Sequence, residues 1–225
     1  MTLTLTLVRH GQTHFNARRH LQGSCNSPLT RTGRAGVRVT AQHLARHTFD
    51  TVYSSPQGRA VQTAVELLRH HPDQPLTVDK DLRELSFGVF ERRPEHELDA
   101  VQPWSEFVPA MLAGTHPGLD GGESGAEFMG RVRTVFARIV AAHDAAAHDG
   151  SADRHVLVVG HGLTLGAYLA TIDPTGLVAL PNASVSTVEV DGSVARVVTA
   201  GVDLAGHGAV AARPAPAPAV LATHG

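Results

Sequence analysis

The sequence predicts a three-layer α/β fold, in which a doubly wound, mostly parallel sheet carries helices on both faces. Two observations predict this class. Short apolar runs rich in β-branched residues alternate along the chain with stretches whose apolar residues recur at helical spacing. In addition, the run "HVLVVGHG" at 155–162 is almost continuously apolar up to its end, which is typical of a parallel strand covered on both faces.

Composition agrees with one globular domain. The chain has 225 residues, of which 42% are hydrophobic and 18% are charged, so it is long and apolar enough to bury a sizeable core. Its 19 basic and 21 acidic residues give a formal net charge of −2. This balance provides no cationic surface for nucleic acid and no polybasic patch for a membrane. We therefore expect a small molecule as the partner.

Cysteine usage and hydropathy indicate the cellular setting. Cys25 is the single cysteine, which excludes an intramolecular disulfide and a multi-cysteine metal site. The N-terminus shows neither a basic region nor a cleavage site of a signal peptide, and no apolar run approaches the roughly 20 residues that span a bilayer. A cytoplasmic protein is expected, and a homodimer is left open as its assembly.

The first half of the chain contains three predicted strands and two helices. Thr32 is the expected N-cap of the first helix, because its hydroxyl can accept a hydrogen bond from a free helix N–H. Pro56 is the expected first residue of the second helix, where its missing N–H costs nothing. In chain order we predict a strand at 3–8, a helix at about 33–47, a strand at 50–55, a helix from 56 to 68 and a strand at 76–78.

The second half begins with a segment of different character. Prolines and glycines interrupt any long period between 85 and 122, so we interpret this segment as an inserted lid. The catalytic domain is predicted to span 1–204, and the Ala/Pro-rich tail at 205–225 is expected to be disordered. Between lid and tail we predict a helix at about 123–147, a strand at 155–162, a helix to about 172 and an antiparallel edge hairpin at 183–199.

Three of these strands end in groups that bind anions. In doubly wound sheets, ligands bind outside the carboxyl ends of the strands. Arginine supplies bidentate donors for phosphate, and helix N-termini favour anions. A neutral imidazole can in addition attack phosphorus. The groups that the three strand ends supply are Arg9 and His10, Arg59, and His161.

Phosphoryl transfer to an imidazole also needs a proton donor for the departing alcohol. The stretch "DLRELSFGVFE" at 81–91 supplies two candidates, Glu84 and Glu91. A carboxyl group in a partly buried site can act as general acid and then as base for water. The residues alone do not choose between the two.

Together, six motifs carry a resemblance to a known family. In order, "LVRHGQTHFN", "LQGSCNSPLT", "YSSPQGRAVQTA", "LRELSFGVFE", "GGES" and "VVGHG" resemble the histidine phosphatase superfamily, also called phosphoglycerate-mutase-like, from about Leu5 to Thr187. The resemblance implies that fold, no metal and no cofactor. It implies His10 as the nucleophile, Glu84 as the acid/base, Glu91 as a lid residue, Arg9, Arg59 and His161 around the phosphate, and further polar contacts from Asn16 and the Gln22-Gly23 turn.

Two departures from the family pattern concern the substrate. Where many relatives have Trp-Glu-Gly, this chain has Phe90-Glu91-Arg92, followed by Arg93. Both arginines are expected to be solvated, with contact to a second acidic substrate group as the alternative. The lid is also short for a true phosphoglycerate mutase. We therefore expect a metal-independent phosphatase that acts on a small phosphorylated metabolite through phosphohistidine; the alternatives are mutase-type phosphate transfer and a non-catalytic module that binds phospho-ligands.

Overall fold

A computed structural model describes residues 2–144, 153–176, 178–206 and 219–220. Its strands are β1 (Leu3–Arg9), β2 (Thr51–Ser54), β3 (Leu76–Val78), β4 (Arg154–Gly160), β5 (Val185–Asp191), β6 (Val194–Val202) and β7 (Ala219–Val220). Its helices are α1 (His14–Ala17), α2 (Arg31–Leu44), α3 (Gly58–Leu67), α4 (Glu95–Val101), α5 (Trp104–Leu112), α6 (Gly125–Asp144) and α7 (Gly162–Ile172). None of the described helices combines the length and apolar character that crossing a membrane requires.

All seven strands form one sheet in the order β3-β2-β4-β1-β5-β6-β7. The first four of that order run parallel, and β5, β6 and β7 continue the sheet in antiparallel pairs. The α/β class is thereby confirmed, and the sheet is mixed. In the parallel part, Arg9 of β1 pairs with Gly160 of β4, and Ser54 of β2 with Val159. The carboxyl ends of these three strands therefore lie side by side.

Helices cover both faces of the sheet. Because side chains alternate along β1, Leu5 and Leu7 enter the core on one face and Val8 enters the core on the other. The first core includes residues of α5, α6 and α7, and the second includes residues of α2 and α3. The continuously apolar β4 contributes to both cores, which explains its lack of alternation.

Two predicted helix starts are wrong. Thr30, not Thr32, is the N-cap of the first long helix, because the extended backbone of Thr30 lets its hydroxyl accept from Gly33 N at 2.8 Å. Pro56 lies outside its helix, since Gln57 is the N-cap of α3. Both errors arise because more than one nearby residue meets the preferences of a helix start, and only the backbone conformation shows where the helix begins.

The remaining predicted elements agree with the structure except near the C-terminus. The lid segment contains α4 and α5, and the helix predicted at 123–147 is described as α6, with 145–147 lying outside the described residues. The hairpin is not at the edge, because β7 pairs with Val194 and Ala195 of β6. Residues 219–220 form a short strand that pairs with the N–H and C=O groups of β6, and the disorder of the tail as a whole stays a prediction. Residues 207–218 and 221–225 lie outside the described residues.

Two glycines let the end of β1 approach α2 closely. A Cβ on Gly11 would lie 2.6 Å from Val37 Cγ2 and 2.9 Å from Gly33 O. A Cβ on Gly33 would lie only 2.1 Å from Gln12 O. This backbone crossing fixes the position of the residue before Gly11, which is His10.

Replacing Gly33 by alanine should therefore destabilise the protein. Because the added methyl meets backbone rather than a movable side chain, we expect the free energy of unfolding in urea to fall by about 1–3 kcal/mol. The matched control is Gly130→Ala in α6, where nothing lies within 4 Å of the new Cβ. That variant should be stabilised by about 0.5–1 kcal/mol, because alanine is the better helix former. Equal effects of the two substitutions would contradict the close crossing.

Candidate active site

Two histidines meet where β1 and β4 end. His10 follows β1 and donates its backbone N–H to Gly160 O at 3.0 Å, and His161 follows β4 as the N-cap of α7. Their ring centroids are 5.2 Å apart, and both side chains are buried. The predicted convergence of the two strand ends is therefore observed for both imidazoles.

Two hydrogen bonds fix the tautomer of His10. Its Nδ1 lies 2.8 Å from Gly11 O, a carbonyl oxygen that can only accept, so Nδ1 carries the proton. Its Nε2 accepts from Arg59 Nε at 3.2 Å, which requires a lone pair on Nε2. His10 is therefore held as a neutral imidazole with a nucleophilic Nε2.

Arg59 is a fully buried cation that is surrounded by neutral oxygens. Its Nη1 donates to Cys25 O at 2.7 Å. Its Nη2 donates to Gln22 O, Gly23 O and Gln57 Oε1 at 3.2, 2.9 and 3.0 Å. Burial lowers the pKa of Arg59 to about 10, and the charge of Glu84 opposes this shift. The guanidinium therefore stays charged at neutral pH, without a carboxylate in direct contact.

The carboxylate of Glu91 holds the loop that surrounds Arg59. It accepts backbone N–H groups from Gly23, Ser24 and Cys25 at 3.2, 2.8 and 3.1 Å, and from Phe87 at 3.0 Å. Burial would raise the pKa of Glu91, but its hydrogen bonds to Cys25, Phe87 and Ser24 lower it. Glu91 therefore anchors this loop, and it is absent from the lining of the cavity described below.

Glu84 lies at the N-terminus of α7 and supplies the cap that the His161 side chain does not. Its Oε2 accepts from Leu163 N at 2.9 Å, and its Oε1 accepts from Thr164 N and Thr164 Oγ1 at 3.0 and 2.9 Å. The first-turn N–H groups and the positive end of the helix dipole favour a carboxylate there. Glu84 is 7% exposed and lines the cavity described below. Of the two carboxylates that the sequence left open, Glu84 is the one at the site.

Arg9 and His161 each have an unpaired polar atom beside His10. Arg9 Nη1 donates to Leu180 O, whereas its buried Nε has no hydrogen-bond partner among the described residues. His161 Nε2 lies 2.7 Å from Ser55 Oγ, and its buried Nδ1 likewise lacks a partner within the described ranges. Arg9 lines the cavity described below, whereas His161 lies behind His10.

Both imidazoles are disposed to be neutral. Burial lowers the pKa of His10 well below its ordinary value, and the positive charges of Arg59 and Arg9 lower it further, against the opposing bond to Gly11. Burial likewise lowers the pKa of His161, with additional effects of Arg59 and His10. An electropositive site with neutral imidazoles combines anion attraction with an unprotonated nucleophile.

Asn16 and Gln22, which the sequence offered as further polar contacts, both lie at the cavity. Asn16 lines the cavity, and its Oδ1 accepts from Thr13 and Asn182, which leaves its amide NH2 for a ligand. Gln22 also lines the cavity, but its amide binds two protein groups. The amide nitrogen donates to Thr13 Oγ1 at 2.6 Å, and in this orientation the amide oxygen accepts from Arg59 Nη1 at 3.2 Å.

Gly23 and the arginine pair lie away from the cavity. The N–H of Gly23 binds Glu91 and its carbonyl binds Arg59, so it is a support of Arg59 in this structure. Arg92 is exposed, and Arg93 lies 5.6 Å over the Phe90 ring and 3.6 Å from Glu97. Neither arginine lines the cavity, so the alternative in which one of them binds a second acidic group is not supported.

A cavity of about 510 Å³ opens in front of His10. Its polar wall contains Arg9, His10, Asn16, Gln22 and Glu84. Arg59 and His161 are completely buried and touch this wall from behind, through His10. No three His, Cys, Asp or Glu side chains are grouped as metal ligands in the part of the chain that the structure describes.

Sequence reasoning missed four residues that orient the site. Ser55 binds His161, Gln57 binds Arg59, Thr164 binds Glu84, and Asn182 donates to His10 O at 3.2 Å. The first two belong to the quoted "SSPQGR" motif and the third follows "GHG", so adjacency to the predicted site was a usable signal. No local signal marks Asn182, which is 172 residues away from His10 in the chain.

Comparisons with known proteins agree with this geometry. The model of the histidine phosphatase superfamily (branch 1) matches residues 5–203. A putative phosphoserine phosphatase 2 of Hydrogenobacter thermophilus is 31% identical over 201 residues, covering 86% of this chain and 93% of that protein. A probable phosphoglycerate mutase GpmB of Yersinia enterocolitica is 33% identical over 172 residues, covering 76% of this chain and 74% of that protein. The solved structure of a mycobacterial glucosyl-3-phosphoglycerate phosphatase is similar with a TM-score of 0.69 at 27% identity, covering 84% of this chain and 91% of that one.

The lowered pKa of His10 predicts an unprotonated ring in mildly acidic solution. Because burial and two arginines disfavour the imidazolium, we expect His10 to keep Nε2 unprotonated at pH values below 6.5 in the folded protein. Long-range ¹H–¹⁵N NMR of the ring nitrogens over a pH titration measures this directly. The control is the same titration in urea, where His10 should titrate near the ordinary value of about 6.5. A folded-state midpoint at the ordinary value would contradict the site electrostatics described above.

Proposed function

The chain belongs to the histidine phosphatase superfamily, and we propose that this phosphoric monoester hydrolase is a metal-independent phosphatase that hydrolyses small phosphomonoesters through a phosphohistidine at His10. The observation that carries the proposal is the fixed tautomer of His10. Its Nε2 keeps a lone pair, although the ring lies beside two arginines that attract phosphate. A purely structural histidine has no need of this arrangement.

In the first step, His10 Nε2 attacks phosphorus, so a P–N bond forms while the P–O bond to the alcohol breaks. Glu84 gives its proton to the departing oxygen. Arg59 Nε, which donates to His10 Nε2 in the free protein, turns to a phosphoryl oxygen. The unpaired Arg9 Nε and His161 Nδ1 stabilise the same oxygens.

In the second step, water attacks the phosphohistidine. Glu84, now a carboxylate, accepts a proton from this water as the P–O bond forms and the P–N bond breaks. Inorganic phosphate leaves, His10 is again neutral, and Glu84 is protonated for the next turnover. The bonds from Thr164 and Leu163 keep the Glu84 carboxylate in place during both steps.

The proposal includes the setting of the enzyme. The substrate is a small phosphorylated metabolite, no cofactor takes part, and neither nucleic acid nor membrane is a partner. The formal net charge of −2 supports the exclusion of nucleic acid and membranes as partners. We place the enzyme in the cytoplasm, and a homodimer stays a prediction.

Mutase-type transfer is the second candidate, because one relative at 33% identity is named a probable phosphoglycerate mutase. A mutase must preserve its phosphohistidine for re-transfer and therefore needs a bisphosphate primer. Rapid release of inorganic phosphate without a primer distinguishes the phosphatase. Binding of phosphate esters with no turnover would instead identify the third alternative, a non-catalytic binding module.

The first test is phosphate release from a panel of phosphomonoesters in EDTA. We expect the wild type to stay active in the chelator and His10→Ala to lose more than about a thousandfold in kcat, because the nucleophile is absent. The matched control is His70→Ala, an exposed histidine outside the cavity lining, which should leave kcat unchanged. Full activity of His10→Ala, or complete loss of wild-type activity in EDTA, would disprove the proposal.

The second test separates the role of Glu84 from binding. In Glu84→Gln the single carboxamide oxygen can still accept one of the α7 N–H groups, but the side chain cannot take a proton from water, so dephosphorylation should slow by about 10²–10⁴-fold. Brief incubation with a ³²P-labelled aryl phosphate, whose leaving group needs little acid assistance, should then trap acid-labile, base-stable phosphoprotein. Glu91→Gln is the control, because the same experiment with it shows how far a loss of loop structure alone slows dephosphorylation. Unchanged turnover of Glu84→Gln would assign the proton transfer to another group.

A further inference from the structure

The cavity in front of His10 is apolar beyond its phosphate end. Its apolar lining includes Phe87, Trp104, Val108, Leu112, Leu163 and Ala167. Trp104 is fixed by edge-to-face contacts with Phe87 and Phe107, at centroid distances of 6.1 and 5.6 Å. Because its volume of about 510 Å³ exceeds what a phosphate group needs, this space must receive the alcohol part of the ester.

A glycine in the middle of α7 enlarges the same cavity. Gly166 is buried and lines the cavity, yet nothing lies within 4 Å of the Cβ that another residue would place there. Glycine inside a helix costs about 1 kcal/mol relative to alanine. No close backbone approach requires it, in contrast to Gly11 and Gly33. The missing side chain therefore leaves room for a ligand.

A second carboxylate lines the cavity besides Glu84, and it is Glu95 at the start of α4. Burial lowers the pKa of Arg9, and the negative charges of Glu84 and Glu95 oppose this shift. Its salt bridge is to Arg19 at 3.3 Å, whose side chain is 84% exposed, so solvent screens that partner. Glu95 is therefore available to repel an anionic group of the substrate.

No cation compensates this repulsion in the described lining. Arg9 lines the cavity at its phosphate end, beside His10 and in front of the enclosed Arg59, and the lining contains no lysine and no further arginine. His20 is the one other basic group there, and its Nδ1 lies 3.0 Å from Arg18 O. A phosphate group therefore finds Arg9 and Arg59 at its end of the cavity, whereas a second acidic group on the substrate meets the negative charge of Glu95.

We propose that the physiological substrate is the phosphomonoester of an apolar alcohol with no second anionic group, selected by the space at Gly166 and by the charge of Glu95. This inference rests on the proposed phosphatase function and specifies its substrate class. The three relatives described above bear names that refer to phosphoserine or phosphoglycerate compounds. The cavity of this chain fits a different class, in which only the phosphate is charged.

Matched alkyl phosphates test the proposal without changing the leaving-group chemistry. Ethyl and hexyl phosphate differ in apolar length, and hexyl and 5-carboxypentyl phosphate differ in a terminal carboxylate. We expect kcat/KM for hexyl phosphate to exceed that for ethyl phosphate by at least about tenfold, because each buried methylene contributes about three- to fourfold. The carboxylated ester should be slower than hexyl phosphate by on the order of tenfold, from charge repulsion. Equal rates in either comparison would overturn the proposal.

Two variants assign the preferences to their residues. Glu95→Gln should raise the ratio of carboxypentyl to hexyl phosphate by on the order of tenfold, whereas Glu97→Gln on the same helix, which lies outside the cavity, should leave the ratio unchanged. Gly166→Leu should abolish the preference for hexyl over ethyl phosphate. Its control is Gly130→Leu, which also has open space at Cβ but lies outside this cavity. Unchanged ratios in Glu95→Gln and Gly166→Leu would overturn the assignment.

Binding distinguishes a failure of this inference from a failure of the phosphatase function. Calorimetric titration with hexylphosphonate and 5-carboxypentylphosphonate needs no chemistry at His10. Tighter binding of hexylphosphonate without hydrolysis of any ester would support the selectivity and contradict the catalytic proposal. Hydrolysis of the whole panel with no preference would support the catalytic proposal and overturn the selectivity.

Discussion

The buried guanidinium of Arg59 is the constraint on which the rest of the site depends. A permanent charge removed from water is tolerated only when its donors are satisfied. The loop at 22–25 and Gln57 provide the oxygens, and Glu91 holds that loop by its backbone N–H groups. The remaining donor, Nε, is directed at His10. One buried charge therefore couples the lid segment, the loop at 22–25 and His10.

The first turn of α7 plays the complementary part for negative charge. Its free N–H groups need an acceptor, and Glu84 provides one from a distant part of the chain. The group that caps the helix is thus also the group that faces the cavity. Among the residues that the structure describes, no carboxylate accepts directly from Arg59, whose donors bind neutral groups. Burial and the neighbouring arginines lower the pKa of both imidazoles.

Much of this arrangement is predictable because it is local in sequence. Strands that end in a reactive group and continue into a helix place that group at the carboxyl edge of a parallel sheet, whatever else the fold contains. For this reason the positions of His10, Arg59 and His161 were predicted correctly, and so was the α/β class. The errors at Thr32 and Pro56 concern helix boundaries that are displaced by two residues, where more than one nearby residue fits the preferences of a helix start.

By itself, the sequence predicted the fold class and the three strand ends at which His10, Arg59 and His161 lie. Only the tertiary structure showed that Glu84 caps α7 and lines the cavity whereas Glu91 holds the loop at 22–25, since both have the same side chain and their surroundings follow from which N–H groups are near each one. It also decided that Gly23 supports Arg59, that Asn182 reaches His10, and that Gly166 and Glu95 share one cavity. The physical reason is that these relations join residues far apart in the chain, and no local preference or spacing encodes which of them come into contact.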